Sequence, residues 1–281
     1  MNVDLQERIE HWFAQGAAAI GNAEAEACFL QLREKLEAGE LRAAEPDASV
    51  PLGWRVNGWV KRGILLGFRI GTMREMGGET LRFIDKHTYP VRRFAVADGV
   101  RVVPGGVSAR SGAYVAKGVA LIPPSYVNVG AYVDEGTMVD SHALVGSCAQ
   151  VGKRVHLSAA AQIGGVLEPV NASPVIIEDD CLIGGNTGVY EGTVVRRRAV
   201  LAAGTVLTRG TPVYDLVRGE IYKATAEMPL VIPEGAVVVP GSRAVSKGKG
   251  AEWGLSLAAP VIVKYRDEKT ELSLVLEEIL R

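Results

Sequence analysis

The sequence predicts a mainly β protein built around a solenoid of short strands, with a helical region before it and a short extension after it. Three observations predict this fold. An aliphatic residue recurs at every sixth position through the middle of the chain, a small or β-branched residue tends to stand two positions before it, and glycine often follows it. Since a period of six fits neither an α-helix nor a simple alternating strand, each repeat is expected to form one short strand and one turn.

The aliphatic column is almost unbroken. Ala109 is the only one of its eighteen positions that is not Val, Ile or Leu. The column consists of Val103, Ala109, Val115, Leu121, Val127, Val133, Val139, Val145, Val151, Leu157, Ile163, Ile177, Ile183, Val189, Val195, Leu201, Leu207 and Val213. A single repeat is too small to bury its own aliphatic residue, so successive coils are expected to stack around one continuous core.

The register is interrupted once inside this column. Ile163 and Ile177 are fourteen residues apart where two repeats would need twelve, so a loop containing Glu168–Pro174 should leave the coil here. Loops that leave a rigid scaffold commonly carry binding contacts. A second excursion is expected at about Tyr214–Pro229, before a final coil at Leu230–Pro240.

The regions on either side of the repeat predict a three-part chain. Residues 1–98 are expected to form a helical domain, with a first helix capped by Asp4 and further helices at Ala23–Leu41 and Asn57–Ile70. Residues 99–240 are expected to form the solenoid. Residues 241–281 are expected to form an extension with a mobile loop at Ser242–Gly254, a strand at Ala259–Tyr265 and a closing helix at Glu271–Leu280.

Composition excludes several classes of partner. The net charge of −1 gives no basic surplus for nucleic acid or for an anionic membrane. The three cysteines lack metal-type spacing and leave an odd thiol, which favours a reducing compartment. The start of the chain lacks the features of a signal peptide, and no apolar run approaches the roughly 18 residues that span a bilayer. The sequence therefore predicts a cytoplasmic protein without a metal, a nucleic-acid partner or a membrane partner.

Four stretches of the repeat carry a family resemblance: PSYVNVGAYVDEGTMVD at 124–140, VGSCAQVG at 145–152, VHLS at 155–158 and IGGVLEP at 163–169. They resemble the tetrahydrodipicolinate N-succinyltransferases, a family of hexapeptide-repeat acyltransferases. The resemblance implies a left-handed parallel β-helix, with three repeats in each coil and about six coils. The hand comes from the resemblance alone, because the rules for parallel crossovers favour the right hand.

The resemblance also implies a reaction and an assembly. The family transfers succinyl from succinyl-CoA, a co-substrate rather than a tightly bound cofactor, to tetrahydrodipicolinate in the diaminopimelate and lysine pathway. The product is N-succinyl-2-amino-6-oxopimelate. Members are homotrimers with active sites in clefts between neighbouring β-helices.

Two residues match the family's acceptor-binding motifs. The acceptor is a dianion, and a guanidinium suits a carboxylate, so Arg101 is expected to bind it. The attacking amine must lose a proton, and Asp140 matches the aspartate that contacts the acceptor and assists proton transfer. Position alone would also allow a solvated Arg101, and an Asp140 that caps its own turn.

The chain departs from the family at one site position. Members often read IGARSEVVEG where this chain has IGGNTGVYEG at 183–192, so Gly188 replaces the first of two glutamates. The missing proton-transfer role is absent, filled by water, or taken by Glu191. The loop at Gly165–Glu168 is expected to line the acceptor pocket, with Gly165 and Glu168 as contacts.

Lysines near the end of the chain are candidates for the CoA phosphates. Lys247 and Lys249 lie in a Gly- and Ser-rich segment, and Lys264 lies in the strand that follows. The backbone of the solenoid would line the pantetheine arm.

Several alternatives remain open at this stage. The donor could be acetyl-CoA, which Gly188 keeps possible, or the β-helix could be a scaffold without chemistry. A histidine base would have to be His142 or His156, which occupy different columns of the repeat. A zinc carbonic anhydrase on this fold would need three converging histidines.

Overall fold

The computed structural model describes residues 3–77 and 82–267. An N-terminal unit of helices and two-stranded ribbons packs against a long parallel β-helix, and a small antiparallel extension follows. The helices of the N-terminal unit are α1 (Val3–Ala14), α2 (Ala23–Glu37) and α3 (Gly58–Ile70), with 3-10 turns at Gly16–Ala19 and Val96–Asp98. No helix within the described residues is long and apolar enough to cross a membrane.

The three helices share one apolar core. Leu5 and Ile9 of α1, Phe29 and Leu32 of α2 and Ile64 of α3 are buried together. Their spacing of three or four residues places them on one face of each helix, which is the reason that the sequence forms helices here.

The start of two helices differs in detail from expectation. α1 already includes Asp4 in its first turn, so this residue is not the N-cap that the sequence predicts. α2 starts after Asn22, whose side-chain oxygen accepts hydrogen bonds from the amides of Glu24 and Ala25. Two of the orphan amides at the N-terminus of α2 are satisfied in this way.

The helical unit that the sequence predicts for residues 1–98 also contains two antiparallel ribbons that the sequence analysis did not predict. β1 (Ala44–Pro46) pairs with β2 (Trp54–Val56), and β3 (Met73–Gly77) pairs with β4 (Arg82–Lys86), both antiparallel. Gly53 and Gly77 adopt positive φ, which suits turns and not helices. The helical periodicity therefore ends at Ile70.

The strands from 101 to 239 are very short. They are β5 (Arg101–Val102), β6 (Ser108–Ala109), β7 (Tyr114–Val115), β8 (Ala120–Leu121), β9 (Tyr126–Val127), β10 (Tyr132–Val133), β11 (Met138–Val139), β12 (Leu144–Val145), β13 (Gln150–Val151), β14 (His156–Leu157), β15 (Gln162–Ile163), β16 (Ile176–Ile177), β17 (Leu182–Ile183), β18 (Gly188–Val189), β19 (Val194–Val195), β20 (Val200–Leu201), β21 (Val206–Leu207), β22 (Val213–Asp215), β23 (Glu220–Tyr222), β24 (Val231–Ile232) and β25 (Ala236–Val239). All except β22 and β23, which belong to an excursion from the coil, are strands of the β-helix, one for each repeat.

Every third strand joins the same sheet, so the coil has three faces. Face 1 contains β5, β8, β11, β14, β17, β20 and β25; face 2 contains β6, β9, β12, β15, β18 and β21; face 3 contains β7, β10, β13, β16, β19 and β24. Neighbouring strands within a face are parallel and in register, as Val139 is with Leu121 and Leu157. The chain runs from face 1 to face 2 to face 3, and the corners are named corner 1–2, corner 2–3 and corner 3–1.

The predicted aliphatic column is the core of this prism. From Ala109 to Val213 every position of the column is at most 3% exposed, and the small residues two positions earlier pack beside it. The first position is wrong by one residue. Val102, not Val103, pairs with Leu121, and Val102 is partly exposed, so the regular spine begins at Ala109.

The chain leaves the coil where the register predicts. Residues 164–175 connect β15 to β16 without regular strands, and this segment is named the 164–175 loop. The second excursion, between β21 and β24, contains the antiparallel pair β22 and β23. Both excursions leave from corner 2–3.

The C-terminal extension has more structure than expected. β26 (Ser242–Ala244) and β27 (Ser256–Ala258) form an antiparallel ribbon with α4 (Gly248–Glu252) between them, where the sequence predicts a loop. The predicted strand is present as β28 (Val261–Tyr265). It pairs antiparallel with β25 and parallel with β22, and so joins the last coil of face 1 to β22 and β23 at the edge of that sheet. The predicted helix at Glu271–Leu280 lies outside the described residues.

Candidate active site

The candidate groove lies at corner 2–3, where three successive coils meet the 164–175 loop. It encloses about 740 Å³. It is lined by Gly164, Gly165, Val166, Glu168, Pro169, Ala172, Tyr190, Glu191, Thr208 and Arg209. Three predicted site residues, Gly165, Glu168 and Glu191, therefore line one cavity.

The 164–175 loop forms one wall of this groove; one hydrogen bond ties it to the preceding coil, and another closes a turn within it. The amide of Val166 donates to the carbonyl of Ser147 at 3.1 Å, and the amide of Ala172 donates to that of Pro169 at 3.0 Å. Gly165 passes so close to the preceding coil that a Cβ there would lie 2.5 Å from the amide nitrogen of Ser147. A side chain at 165 would displace this wall.

Glu191 lies at the corner that follows β18. It adopts φ +53°, a left-handed conformation at a sharp turn, and its side chain is exposed. Its Oε2 accepts a hydrogen bond from the amide of Arg209 at 2.8 Å. This contact fixes a carboxylate at the rim of the groove.

Tyr190 is a groove residue that the sequence analysis missed. A Cβ built on Gly188 would lie 2.5 Å from Cε2 of Tyr190 and 3.0 Å from its hydroxyl oxygen. The ring of Tyr190 therefore occupies the space that a side chain at 188 would need. The signal was present in the sequence, since the same segment that has Gly for Glu at 188 also has Tyr for Val at 190.

Asp140 lies at a different corner from the groove. It follows β11 of face 1 and is half-buried at corner 1–2, whereas Glu191 follows β18 of face 2. Its Oδ1 accepts from the amide of Ser141 at 2.7 Å, and its own amide donates to the carbonyl of Leu157. The carboxylate thus caps its own turn, as the alternative interpretation expects, and its second oxygen is available for other contacts.

Arg101 lies on the same face as Asp140. It pairs through Ala120 with Met138, so it is two strands away from the strand that precedes Asp140, and it is exposed. The predicted residues therefore form two groups in one chain. Arg101 and Asp140 belong to face 1 and its corner, while Gly165, Glu168 and Glu191 belong to the groove at corner 2–3.

The three candidate CoA-binding lysines lie in the extension and are all exposed. Lys247 precedes α4, Lys249 forms an ion pair with Glu252 at 2.6 Å, and Lys264 forms one with Asp267 at 3.3 Å. Exposed ion pairs of this kind contribute little to stability and break easily, so the ammonium groups of Lys249 and Lys264 can bind a phosphate instead.

The two histidines of the repeat do not converge. His142 is exposed at corner 1–2 with φ +61°, and His156 belongs to β14 on face 1. Within residues 3–77 and 82–267, no group of three or more His, Cys, Asp or Glu side chains could hold a metal ion.

Two family descriptions match the chain. Residues 4–70 match "Tetrahydrodipicolinate N-succinyltransferase N-terminal", and residues 174–209 match "Hexapeptide repeat of succinyl-transferase". The first match covers the helical unit and the second covers coils that include Glu191.

Curated relatives extend the similarity to nearly the whole chain. A protein of Polynucleobacter asymbioticus is 46% identical over 254 residues, which cover 88% of this chain and 86% of that protein. One of Bordetella avium is 43% identical over 288 aligned positions, with 100% of both chains covered. Both are named 2,3,4,5-tetrahydropyridine-2,6-dicarboxylate N-succinyltransferase.

A solved structure shares the fold. The crystal structure of a protein from Campylobacter jejuni, described as a 2,3,4,5-tetrahydropyridine-2-carboxylate N-succinyltransferase, superposes with a TM-score of 0.56 at 18% identity. The match covers 88% of this chain and 64% of that one. The expected fold, a left-handed parallel β-helix with N-terminal helices, is confirmed, and at 46% identity over most of its length the chain belongs to the 2,3,4,5-tetrahydropyridine-2,6-dicarboxylate N-succinyltransferase family.

Proposed function

We propose that this protein transfers succinyl from succinyl-CoA to tetrahydrodipicolinate, giving N-succinyl-2-amino-6-oxopimelate in the diaminopimelate and lysine pathway. The observation that carries the proposal is the 46% identity, over 88% of the chain, to a relative named for this activity. The groove at corner 2–3 supports it, because its 740 Å³ suits a small dicarboxylate together with the end of an acyl chain. The proposal keeps the cytoplasmic location that the sequence predicts.

In the proposed reaction water adds to the ring C=N bond and gives an N–H nitrogen, which attacks the thioester carbonyl of succinyl-CoA. A new C–N bond forms, the C–S bond breaks, CoA leaves as the thiol, and the ring opens at its old C–N bond to give the 6-oxo group. The nitrogen must lose a proton, and Asp140 is the proposed acceptor, with its second carboxylate oxygen directed to the substrate. Arg101 holds a substrate carboxylate, and catalysis comes mainly from alignment of nitrogen and thioester.

The groove supplies the other half of the proposed site. Gly165 offers backbone at the wall, Glu168 and Glu191 contact the acceptor or assist proton transfer, and the exposed lysines 247, 249 and 264 meet the CoA phosphates. Succinyl-CoA is a co-substrate here and not a resident cofactor.

The position of the two groups supports a homotrimer. Arg101 and Asp140 lie on face 1 and corner 1–2, and the groove lies at corner 2–3 of the same chain. A neighbouring copy that places its corner 1–2 beside this groove would bring the two groups together. We therefore infer that each site takes Asp140 from one subunit and Glu168 and Glu191 from the next.

The replacement of Asp140 by asparagine tests the proposal. Asp140→Asn should keep the fold and lower kcat about 100-fold or more, because the proton acceptor is lost and the shape is retained. Thiol release from succinyl-CoA with tetrahydrodipicolinate measures it, and near-normal turnover would remove Asp140 from the mechanism.

Acetyl-CoA is the comparison donor. A higher kcat/KM with acetyl-CoA would overturn the assignment of succinyl-CoA as the donor. If no dicarboxylic amine caused thiol release, the protein would instead be a scaffold without catalytic activity.

A mixing experiment tests the shared site. Asp140→Asn and Glu191→Gln subunits are each expected to be impaired alone. Mixed trimers should regain part of the activity, because some interfaces then pair an intact Asp140 with an intact Glu191. No recovery in verified mixed trimers would place both carboxylates in one subunit.

A further inference from the structure

Lys61 is a lysine that the proposed reaction does not use, and its side chain is fully buried. It lies on α3 in the N-terminal unit and is 0% exposed. Its ammonium donates a hydrogen bond to the backbone carbonyl of Ala172, with 2.5 Å between Nζ and the oxygen. The residues that this bond joins are 111 positions apart in sequence.

The stability of the helical core does not explain this lysine. Taking an ammonium out of water costs several kcal/mol unless an opposite charge compensates it, and a hydrophobic residue of similar size is often as stable or more so. Among the described residues Lys61 forms no ion pair with a carboxylate. Burial lowers the pKa of Lys61, and a weaker interaction with Cys148 acts in the opposite direction. The chain therefore keeps a costly group whose one hydrogen bond goes to the 164–175 loop.

The partner of Lys61 is part of the groove wall. Ala172 lines the cavity together with Glu168. The same loop contacts the N-terminal unit at two further points. Leu167 packs against the helical core, and Gly58, at the start of α3, faces Asn171 so closely that a Cβ there would lie 2.9 Å from its Oδ1. The N-terminal unit thus supports the loop from behind at residues 167, 171 and 172.

We propose that Lys61 is a positioning residue that holds the 164–175 loop against α3 and so fixes the wall of the acceptor pocket. The inference rests on the proposed function for its catalytic consequence, while the anchoring itself rests on the geometry alone. The substrate-facing side of the loop carries Gly165 and Glu168, and the opposite side carries the contacts to α3. Loss of the lysine bond should therefore move the acceptor wall and leave the extension with the candidate CoA lysines in place.

Lys61→Met is the variant that tests the anchor. Methionine keeps the length and apolar character of the buried chain and removes the donor, so folding is expected to be retained. Hydrogen exchange measures the result: the amides of Val166 and Ala172, both hydrogen-bonded in the loop, should exchange about tenfold faster or more. Unchanged exchange at both amides would overturn the anchoring role.

Lys86→Met is the matched control. Lys86 belongs to the same N-terminal unit and also donates from Nζ to a backbone carbonyl, that of Gly71 at 2.9 Å, but it does not contact the loop. Lys86→Met should leave exchange at Val166 and Ala172 unchanged. Equal acceleration in both variants would mean general loosening of the unit and would overturn the inference.

Steady-state kinetics separates positioning from loss of folded enzyme. Lys61→Met should lower kcat/KM for tetrahydrodipicolinate about 10- to 100-fold, because a small displacement of a positioning wall is costly. The KM for succinyl-CoA should change by less than about twofold, since the lysines of the extension are untouched. A fall in kcat alone, with both KM values unchanged, is what a smaller folded fraction would produce, and it would count against positioning.

A second variant and the wild type complete the test. Lys61→Gln keeps a neutral donor on a shorter side chain and should recover part of the loop protection that Lys61→Met loses. If Lys61→Met does not fold, Lys61→Leu, which also lacks the donor, takes its place, and unchanged exchange at Ala172 in Lys61→Leu overturns the anchor. Absence of succinyl transfer by the wild type would overturn the proposed function alone. The exchange comparison between Lys61→Met and Lys86→Met would still decide the anchor.

Discussion

The position of the Tyr190 ring depends on the absence of a side chain at Gly188. The ring of Tyr190 lies over Gly188 and fills the position of a side chain there. A longer side chain at 188 would collide with this ring in its present position. Positions 188 and 190 therefore have to be considered as a pair.

Gly188→Ala tests this dependence. The added Cβ meets the Tyr190 ring at 2.5 Å, so the ring must move, and overpacking of this kind typically costs about 1–3 kcal/mol of unfolding free energy. In a Tyr190→Val background the same change should cost less, which a double-mutant cycle in urea measures. Gly210→Ala is the control, since a Cβ there meets nothing closer than 3.9 Å. Equal costs in both backgrounds would contradict the pairing.

Each strand of the β-helix contributes one inward aliphatic side chain to a shared column. Leu157 of β14 is fully buried between the strands of neighbouring coils, and Val206 of β21 is 47% exposed on the outside. The strands are only two residues long, so their hydrogen bonds to the coils above and below depend on the column that holds these coils in register.

Leu157→Ala should therefore destabilise the protein strongly. A cavity in a core that neighbouring coils cannot fill costs about 2–5 kcal/mol. Val206→Ala on the outer surface should change the unfolding free energy by less than about 0.5 kcal/mol. Urea unfolding at one protein concentration compares them, because the stability of an oligomer depends on concentration. Similar effects of the two substitutions would contradict the assignment of inward and outward positions.

The elements also show what the sequence could and could not predict. The column from Ala109 to Val213 was predictable because every coil repeats the same requirement for an inward aliphatic residue. The ribbons β3–β4 and β26–β27 were not, because these strands are short, largely exposed and rich in charged and small residues. The different corners of Asp140 and Glu191 were also predictable. Successive repeats occupy the three faces in turn, and a count from Val139 to Val189 places these two residues on different faces.

The contact between Lys61 and Ala172 could not be predicted from the sequence. Lys61 looks like any polar residue of a helix, and its partner is a backbone carbonyl, which leaves no trace in residue type. Tertiary packing of α3 against the 164–175 loop decides it.

On the scale of the whole molecule, folding buries several groups that ionise in alkali. Burial raises the pKa of Cys148 to about 12 and that of Tyr132 to about 12, and it raises the pKa of Tyr89 well above its ordinary value. For each group the folded-state pKa lies above that of the unfolded chain. The stability they contribute is thus complete below the unfolded values of 9.0 for Cys and 10.0 for Tyr, and it is lost as pH rises further.

The unfolding free energy should therefore fall above about pH 9, by about 1.4 kcal/mol for each pH unit and each group that ionises only in the unfolded chain. Lys61 has the opposite effect on the unfolding free energy: because burial lowers its pKa, its contribution to stability rises as the pH approaches 10.5. The several buried Cys and Tyr groups outweigh this single lysine. Urea midpoints at pH 8 and pH 11 measure the fall. Cys148→Ala should make it shallower, and a midpoint that does not change with pH would contradict the prediction.

The strands that cover β25 on face 1 have a consequence for how the molecule behaves at high concentration. In a β-helix of identical coils, the last coil has strand edges without partners. The first coil of another molecule could pair with those edges, and repeated addition would give a fibre. On face 1, strands outside the repeat cover the last rung: β28 pairs with β25, and β22 and β23 follow it, so β25 has no free edge for such an addition. Strands outside the repeat thus cap face 1 and limit growth of the β-helix by addition of further molecules.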